Sequence, residues 1–188
     1  MEDIRIYVAC LASYVGGHLH GEWIDLNPGV EVDEIHEAIA EILKSSPIHN
    51  AEEWAVHDYE LPFGLRLSEY PDLEMVALLA NALYTYDEPF AVVLNDGGGL
   101  DDFYSVLDTF ENGSWRVLGS KHELAEDILE MAWDSVGAFT RYGSSPIEWG
   151  DLPGVIQNNI DMDAVYDYEA SYRDLYEMSD GSILELYG

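Results

Sequence analysis

"VYDYEASYRDLYE", residues 165–177, holds four tyrosines, four carboxylates and a single base. At 100° per residue, Val165, Tyr168, Tyr172, Leu175 and Tyr176 fall on one stripe. Extending the run back two residues places Asp163, Asp167 and Asp174 on the opposite side. Glu169, Arg173 and Glu177 are four apart and form a ladder between the faces, where each ion pair contributes a few tenths of a kcal/mol. The spacing predicts one helix that docks by its aromatic stripe and turns its acids to water. Taken alone, such a segment is an ordinary solvated amphipathic helix, and the rest of the chain decides whether it is more.

The chain has 188 residues with a net charge of −31, from 38 acids against 7 bases. The charge is spread evenly: −11 over residues 1–61, −11 over 62–144 and −9 over 145–188. That pattern describes an acidic folded surface rather than an appended acidic tail, and the 48% hydrophobic content supplies real cores. Seven scattered bases cannot neutralise phosphates, so nucleic acid is excluded as a partner. Anionic membranes are excluded on the same ground. The partner expected is strongly basic, a cation pool or brine. Cys10 is the sole cysteine and lies in an apolar run, which makes it a buried small hydrophobe and leaves no internal disulfide or cysteine-based zinc site. The start "MEDIRIY" lacks a basic leader, and no apolar run approaches the ~20 residues of a membrane helix. A cytoplasmic location is expected.

Working outward, the fold class reads as α+β in three small domains. Residues 1–61 form an N-terminal unit of three strands (4–12, 22–26 and 52–60) and one helix, "VDEIHEAIAEILKSS". In that helix Asp33 is the expected N-cap and Ile35, Ile39 and Ile42 or Leu43 form the buried stripe. Residues 62–144 form a central helical bundle. Leu73, Val76, Leu79 or Ala80, and Leu83 share one face there, and Ser120 with Glu123 makes a capping box that opens the next helix. "PFAVVLND" is ambiguous between strand and helix. "RYGSSP" (141–146) reads as a linker. Residues 145–188 form a C-terminal α+β unit: a short helix near "LPGVIQNNI", the helix of the opening stretch, and a strand "SILELY" after the Asp180–Gly181 turn.

No motif supports an enzyme. "NDGGGLDD" resembles a calcium loop in composition only, because the EF-hand spacing fails. His18, His20 and Glu22 alternate and could share a strand face as metal ligands, but histidines flanking a turn are commoner. His57 and Asp58 point to opposite faces of a strand and lack a nucleophile. There is no phosphate loop, dinucleotide fingerprint or nucleophile elbow. No cofactor and no metal is expected.

What the charge can do is electrostatic. Duplex DNA presents one negative charge per ~1.7 Å of axis. Helical acids at i and i+4 lie about 6 Å apart, and several such rows side by side approach the phosphate density. A protein that grips DNA through a basic groove would capture this decoy by the contacts that give its sequence-independent affinity. The candidate array comprises Glu52, Glu53, Asp58, Glu60, Asp101, Asp102, Asp108, Glu123, Glu126, Asp127, Glu130, Asp161, Asp163, Asp167, Glu169, Asp174 and Glu177. Tyrosine-rich stripes would hold it rigid.

Three stretches carry a resemblance to the ArdA family of antirestriction proteins. "YVGGHLHGEWIDL" has Tyr14, Gly17, Leu19, Gly21 and Trp23 in the family's spacing. "AVHDYELPF" (55–63) is the second. "YDYEASYRDL" (166–175) is the third and departs from the family pattern at Ser171, where tyrosine is expected. The resemblance implies an elongated, curved protein of three domains that dimerises through the last. The aromatic stripe places Tyr168, Tyr172, Leu175 and Tyr176 in packing or the dimer. It implies mimicry of bent B-form DNA, blockade of the DNA-binding groove of type I restriction–modification enzymes, and carriage on a mobile element. The alternatives are a salt-adapted acidic globular protein and a calcium-binding module.

Overall fold

A computed structural model describes residues 3–135, 150 and 152–187. The fold is α+β, and the chain divides into two compact units, Met1–Glu111 and Asn112–Gly188.

The first unit opens with β1 (Arg5–Cys10) and a single helical turn, α1 (Leu11–Val15). β2 (Gly21–Asp25), α2 (Val32–Lys44) and β3 (Trp54–Glu60) follow. The sheet is antiparallel in the order β2-β1-β3. Ile4, Ile6 and Val8 alternate with partly exposed Arg5 and Tyr7, as a strand with one buried face requires. That face receives Ile35, Ile39 and Ile42 of α2, all buried. Gly21 is required at the start of β2, because a Cβ there would collide with the Val8 carbonyl oxygen and lie 2.9 Å from Ala9 Cα. The first strand is shorter than expected: residues 11 and 12 belong to the turn α1, tied by Leu11 N–H donating to the Glu53 carbonyl at 3.0 Å. The N-cap of α2 is Glu31, and Asp33 lies inside the first turn, where it still faces the positive end of the helix dipole.

The same unit continues with α3 (Leu73–Tyr86), α4 (Glu88–Asp96) and α5 (Phe103–Glu111). Asp72 caps α3 by accepting from the Glu74 and Met75 amides. The expected face of Leu73, Val76, Leu79, Ala80 and Leu83 is buried. "PFAVVLND" lies in α4. Burial of Phe90, Ala91, Val93 and Leu94 follows a helical period once Pro89 fixes its first turn. Phe90 meets Phe103 and Phe110 edge-on, with ring centroids 6.0 and 5.2 Å away, and these three fully buried rings knit α4 to α5.

The second unit contains β4 (Trp115–Ser120), α6 (Lys121–Ser135), α7 (Gly154–Gln157), α8 (Met162–Ala170), β5 (Asp174–Glu177) and β6 (Ser182–Leu186). Its sheet is antiparallel in the order β4-β6-β5. Leu124 of α6, Tyr166 of α8 and Ile183 of β6 form its core, with Leu118, Ile128, Ala170 and Leu175 packed around them.

Two readings of this region are corrected. "WRVLGS" is a strand, so residues 115–120 with α6 pack with the C-terminal elements and not within an all-helical bundle. The stretch 165–177 is two elements, α8 ending at Ala170 and β5 beginning at Asp174. The Ser171 hydroxyl donates to the Tyr168 carbonyl at 2.6 Å and closes the helix. Beyond it the backbone is claimed by β6, with Leu175 opposite Glu185 and Tyr176 opposite Leu184. Sheet pairing overrides the helical period, which runs on only in the side-chain spacing. Of the Glu169–Arg173–Glu177 ladder one rung survives, Glu169–Arg173 at 3.9 Å, and Glu177 instead meets Lys121 at 2.7 Å. The tyrosine that enters the core is Tyr166, 8% exposed, whereas Tyr168 and Tyr172 are 64% and 74% exposed. The Ser120–Glu123 capping box is formed: the Ser120 amide donates to Glu123 at 2.8 Å and the Glu123 amide to Ser120 Oγ at 3.3 Å. The linker 141–146 lies outside the described residues. Among the described residues no helix is long and apolar enough to cross a membrane.

Candidate functional site

The candidate site is a surface and is described unit by unit. In the first unit Glu52 and Glu53 precede β3, Asp58 and Glu60 lie on it, and all four are exposed. β3 is an edge strand, so its charges also discourage edge-to-edge pairing. Glu60 accepts two hydrogen bonds of 2.8 Å from Arg5, whose guanidinium holds the carboxyl below its ordinary range. Asp58 accepts from the Tyr59 amide at 2.9 Å. Asp101 and Asp102 sit exposed on a 3-10 turn (Leu100–Asp102), and Asp108 is exposed on α5.

In the second unit Glu123, Glu126, Asp127 and Glu130 form an exposed row along α6. Successive turns bring such groups to within about 6 Å of one another. Glu123 is held below the usual carboxylate range by the Ser120 amide and hydroxyl. Glu126, Asp127 and Glu130 also border an open cleft of about 440 Å³ with His122, Gln157 and Asn158. Asp161 caps α8 by accepting from the Ala164 amide at 3.1 Å. Asp163 and Asp167 are exposed one turn apart on α8, and Asp174 is exposed on β5. Glu169 is half-buried beside Arg173, and Glu177 is exposed beside Lys121. Tyr168 and Tyr172 meet edge-on at 5.2 Å on the outside of the unit, while Leu175 and Tyr176 are half-buried in β5.

The cations explain why the surface stays anionic. Six of the seven Lys and Arg residues are described, and five of them lie in ion pairs with the chain's own carboxylates: Arg5, Lys44, Arg116, Lys121 and Arg173. Two converge on one acid absent from the candidate array. Glu185 of β6 is 6% exposed and accepts from Arg116 Nε at 2.6 Å and from Arg173 Nε and Nη2, both at 2.8 Å. Arg173 first, then Arg116, holds its carboxyl below the ordinary range against the opposing cost of burial. Among the described residues, most of the remaining array lies in no ion pair with a Lys or Arg.

A further regular acidic ladder, outside the candidate array, lies on α2. Asp33, Glu37 and Glu41 of α2 are four apart and exposed, opposite the buried Ile35, Ile39 and Ile42. The i, i+4 spacing was the signal that could have found them. Glu185 carried no comparable signal, since a carboxylate in "SILELY" reads as the solvent side of a strand. Two of the candidate histidines have structural partners: His20 Nε2 lies 2.7 Å from the Ile42 carbonyl, and His57 packs edge-on to Tyr14 at 5.1 Å. Among the described residues no cluster of His, Cys, Asp and Glu is arranged to hold a metal ion.

A family model described as antirestriction protein (ArdA) matches residues 6–183. Comparison with curated proteins gave no match.

Proposed function

The chain belongs to the ArdA family of antirestriction proteins, and we propose that it acts by imitating DNA: its carboxylates occupy the DNA-binding groove of a type I restriction–modification enzyme and block restriction. The family makes a restriction enzyme the expected target. The mimic mechanism, the type I class and the enzyme's modification and specificity subunits as the docking partner are our reading. The observation that carries it is the disposition of charge. Five of the six described cations are engaged by acids of the same chain, and exposed carboxylates on α2, α6 and α8 repeat at helical spacing. A single such row has roughly half the axial charge density of one DNA strand and about a quarter of the duplex's, so several rows and loops must act together.

Such a surface displaces DNA by charge, without any base edge to read. The chain should therefore compete with DNA for a type I methyltransferase complex, most strongly at low salt. Lack of competition at low salt would overturn the reading. Because the array is redundant, a single Asp→Asn change is expected to cost little. Replacing Asp163, Asp167 and Asp174 together with Asn should weaken competition and make its salt dependence shallower. An elongated homodimer working in the host cytoplasm, encoded on a mobile element, belongs to the same proposal, and small-angle scattering with sedimentation would test its form.

A further inference from the structure

The anionic surface leaves an exposed apolar turn of the first unit without a role. In the connection from β1 to β2, Val15 is 86% and Leu19 91% exposed, with Tyr14 at 56%. Single exposed apolar groups are ordinary, but these three crown one short turn in a chain of net charge −31. The turn has its backbone bonds made. The Gly16 amide donates to the Ala12 carbonyl and the Gly17 amide to the Tyr14 carbonyl, each at 3.1 Å, and the His18 amide donates to the Ser13 carbonyl at 2.9 Å. Gly17, at φ +80°, supplies the left-handed residue that closes it. Below, His57 supports Tyr14, and His20 is tied to the Ile42 carbonyl. The aliphatic groups are thus held outward by a built loop.

The charges on the adjoining strands indicate what can cover them. Glu22 on β2 and Glu53, whose carbonyl receives the Leu11 amide at the start of α1, are exposed carboxylates. A second copy seated here would oppose those acids to their own counterparts, and an anionic bilayer would be repelled in the same way. A surface with an apolar depression and a basic rim satisfies both the tip and its border. We propose that Val15 and Leu19 seat in an apolar depression bordered by lysine or arginine on the restriction enzyme, a step that rests on the mimic reading above. The carboxylates then supply the salt-dependent part of the affinity and the tip a part that salt does not screen.

The test is competition with DNA for the type I methyltransferase complex over a range of salt, using the full chain and its Val15→Ser/Leu19→Ser variant. Both positions face water, so the fold is expected to survive, which circular dichroism checks. The variant should bind about tenfold or more weakly at every salt concentration, with the slope of log affinity against log salt unchanged. Wild-type competition matched by the variant would overturn the tip and leave the mimic reading standing. No competition by the wild type would overturn the mimic reading and the tip's partner with it. A variant whose weaker binding tracks a loss of self-association in sedimentation would overturn the proposal in favour of contact between copies. Independently of variant stability, Leu19→Cys can carry an environment-sensitive dye, since Cys10 is fully buried. Its emission should shift to the blue on complex formation, and an unshifted emission overturns the proposal.

Discussion

The two units solve the problem of folding under strong negative charge in different ways. The first is held by packing: Phe90, Phe103 and Phe110 meet at its helices, and Ile4, Ile6, Leu26 and Ile35 fill the space under its sheet, all essentially inaccessible. Its cations Arg5, Lys44 and Arg66 stay on the surface. The second has a smaller described core around Leu124, Tyr166 and Ile183, and places Arg116 and Arg173 on a buried carboxylate at the middle strand of its sheet. A buried ion network of this kind stabilises only while complete, because removing one partner strands the other charges. The difference teaches that most of the described cations are engaged within the chain: Arg5 and Arg116 join strands, and the outside is left largely to the acids.

The largest effect that would sharpen this contrast is loss of a ring from the first unit. Phe103→Ala should destabilise that unit by about 3–5 kcal/mol, the cost of an aromatic-sized cavity in a close-packed site. Calorimetry should resolve a lowered transition while the transition of the second unit stays in place. A single transition that moves as a whole would show that the two units unfold together and would break the comparison.

Next in size is Glu185→Gln, which leaves two arginines without their shared anion. A cost of about 2–4 kcal/mol to the second unit is expected, below the full figure for a sealed pair because Arg116 keeps half its side chain in water. The sign of the pH effect follows from the carboxyl's lowered folded pKa. The unfolded carboxyl takes up its proton near pH 4.3. The network's contribution is therefore complete above that pH and is lost as pH falls through the lower folded value. Wild type and variant should melt several degrees apart at pH 7 and converge in acid. A gap that is constant with pH would mean that packing, not charge, is what Glu185 provides.

These same residues mark what could be read without coordinates. The fold class and most elements of the first unit were legible, because Ile35, Ile39 and Ile42 or Leu73, Val76 and Leu83 bury one helical stripe and nothing competes with them. The second unit was harder for a physical reason. In residues 165–177 the i, i+4 spacing of Tyr168 and Tyr172 suits a helix, but Leu175 and Tyr176 pair with a strand ten residues further on. No local pattern announces that partner. For the same reason β4 was invisible: "WRVLGS" is short, half exposed and completed only by β6. The acids were legible as a class, and most of the candidate array is exposed, but which acid is neutralised depends on cations brought from 12 or 69 residues away.

A local device offers a smaller and cleaner test. Ser120→Ala removes the hydroxyl that caps α6 and should cost about 1 kcal/mol. The loss should fall on the second unit's transition and fade as pH drops, since Glu123 is held ionised by the Ser120 amide and hydroxyl. Its contribution is present above the ordinary carboxylate pKa and lost below the lowered one. An equal loss in the first unit's transition would contradict the division at residues 111 and 112.

The smallest effect on the fold is expected at Tyr168 and Tyr172, and it separates two roles that the sequence left joined. Both rings are mostly in water and touch each other at 5.2 Å. Either Tyr→Ala change should therefore alter the stability of the isolated chain by less than about 0.5 kcal/mol. If the rings serve a dimer, the double change should shift the concentration dependence of sedimentation and leave dilute-solution melting almost untouched. If melting falls at every concentration and sedimentation does not change, the tyrosines brace Tyr166 and Leu175 within one chain. The second unit would then rest on aromatic packing in the manner of the first, and its ion network would be a secondary support.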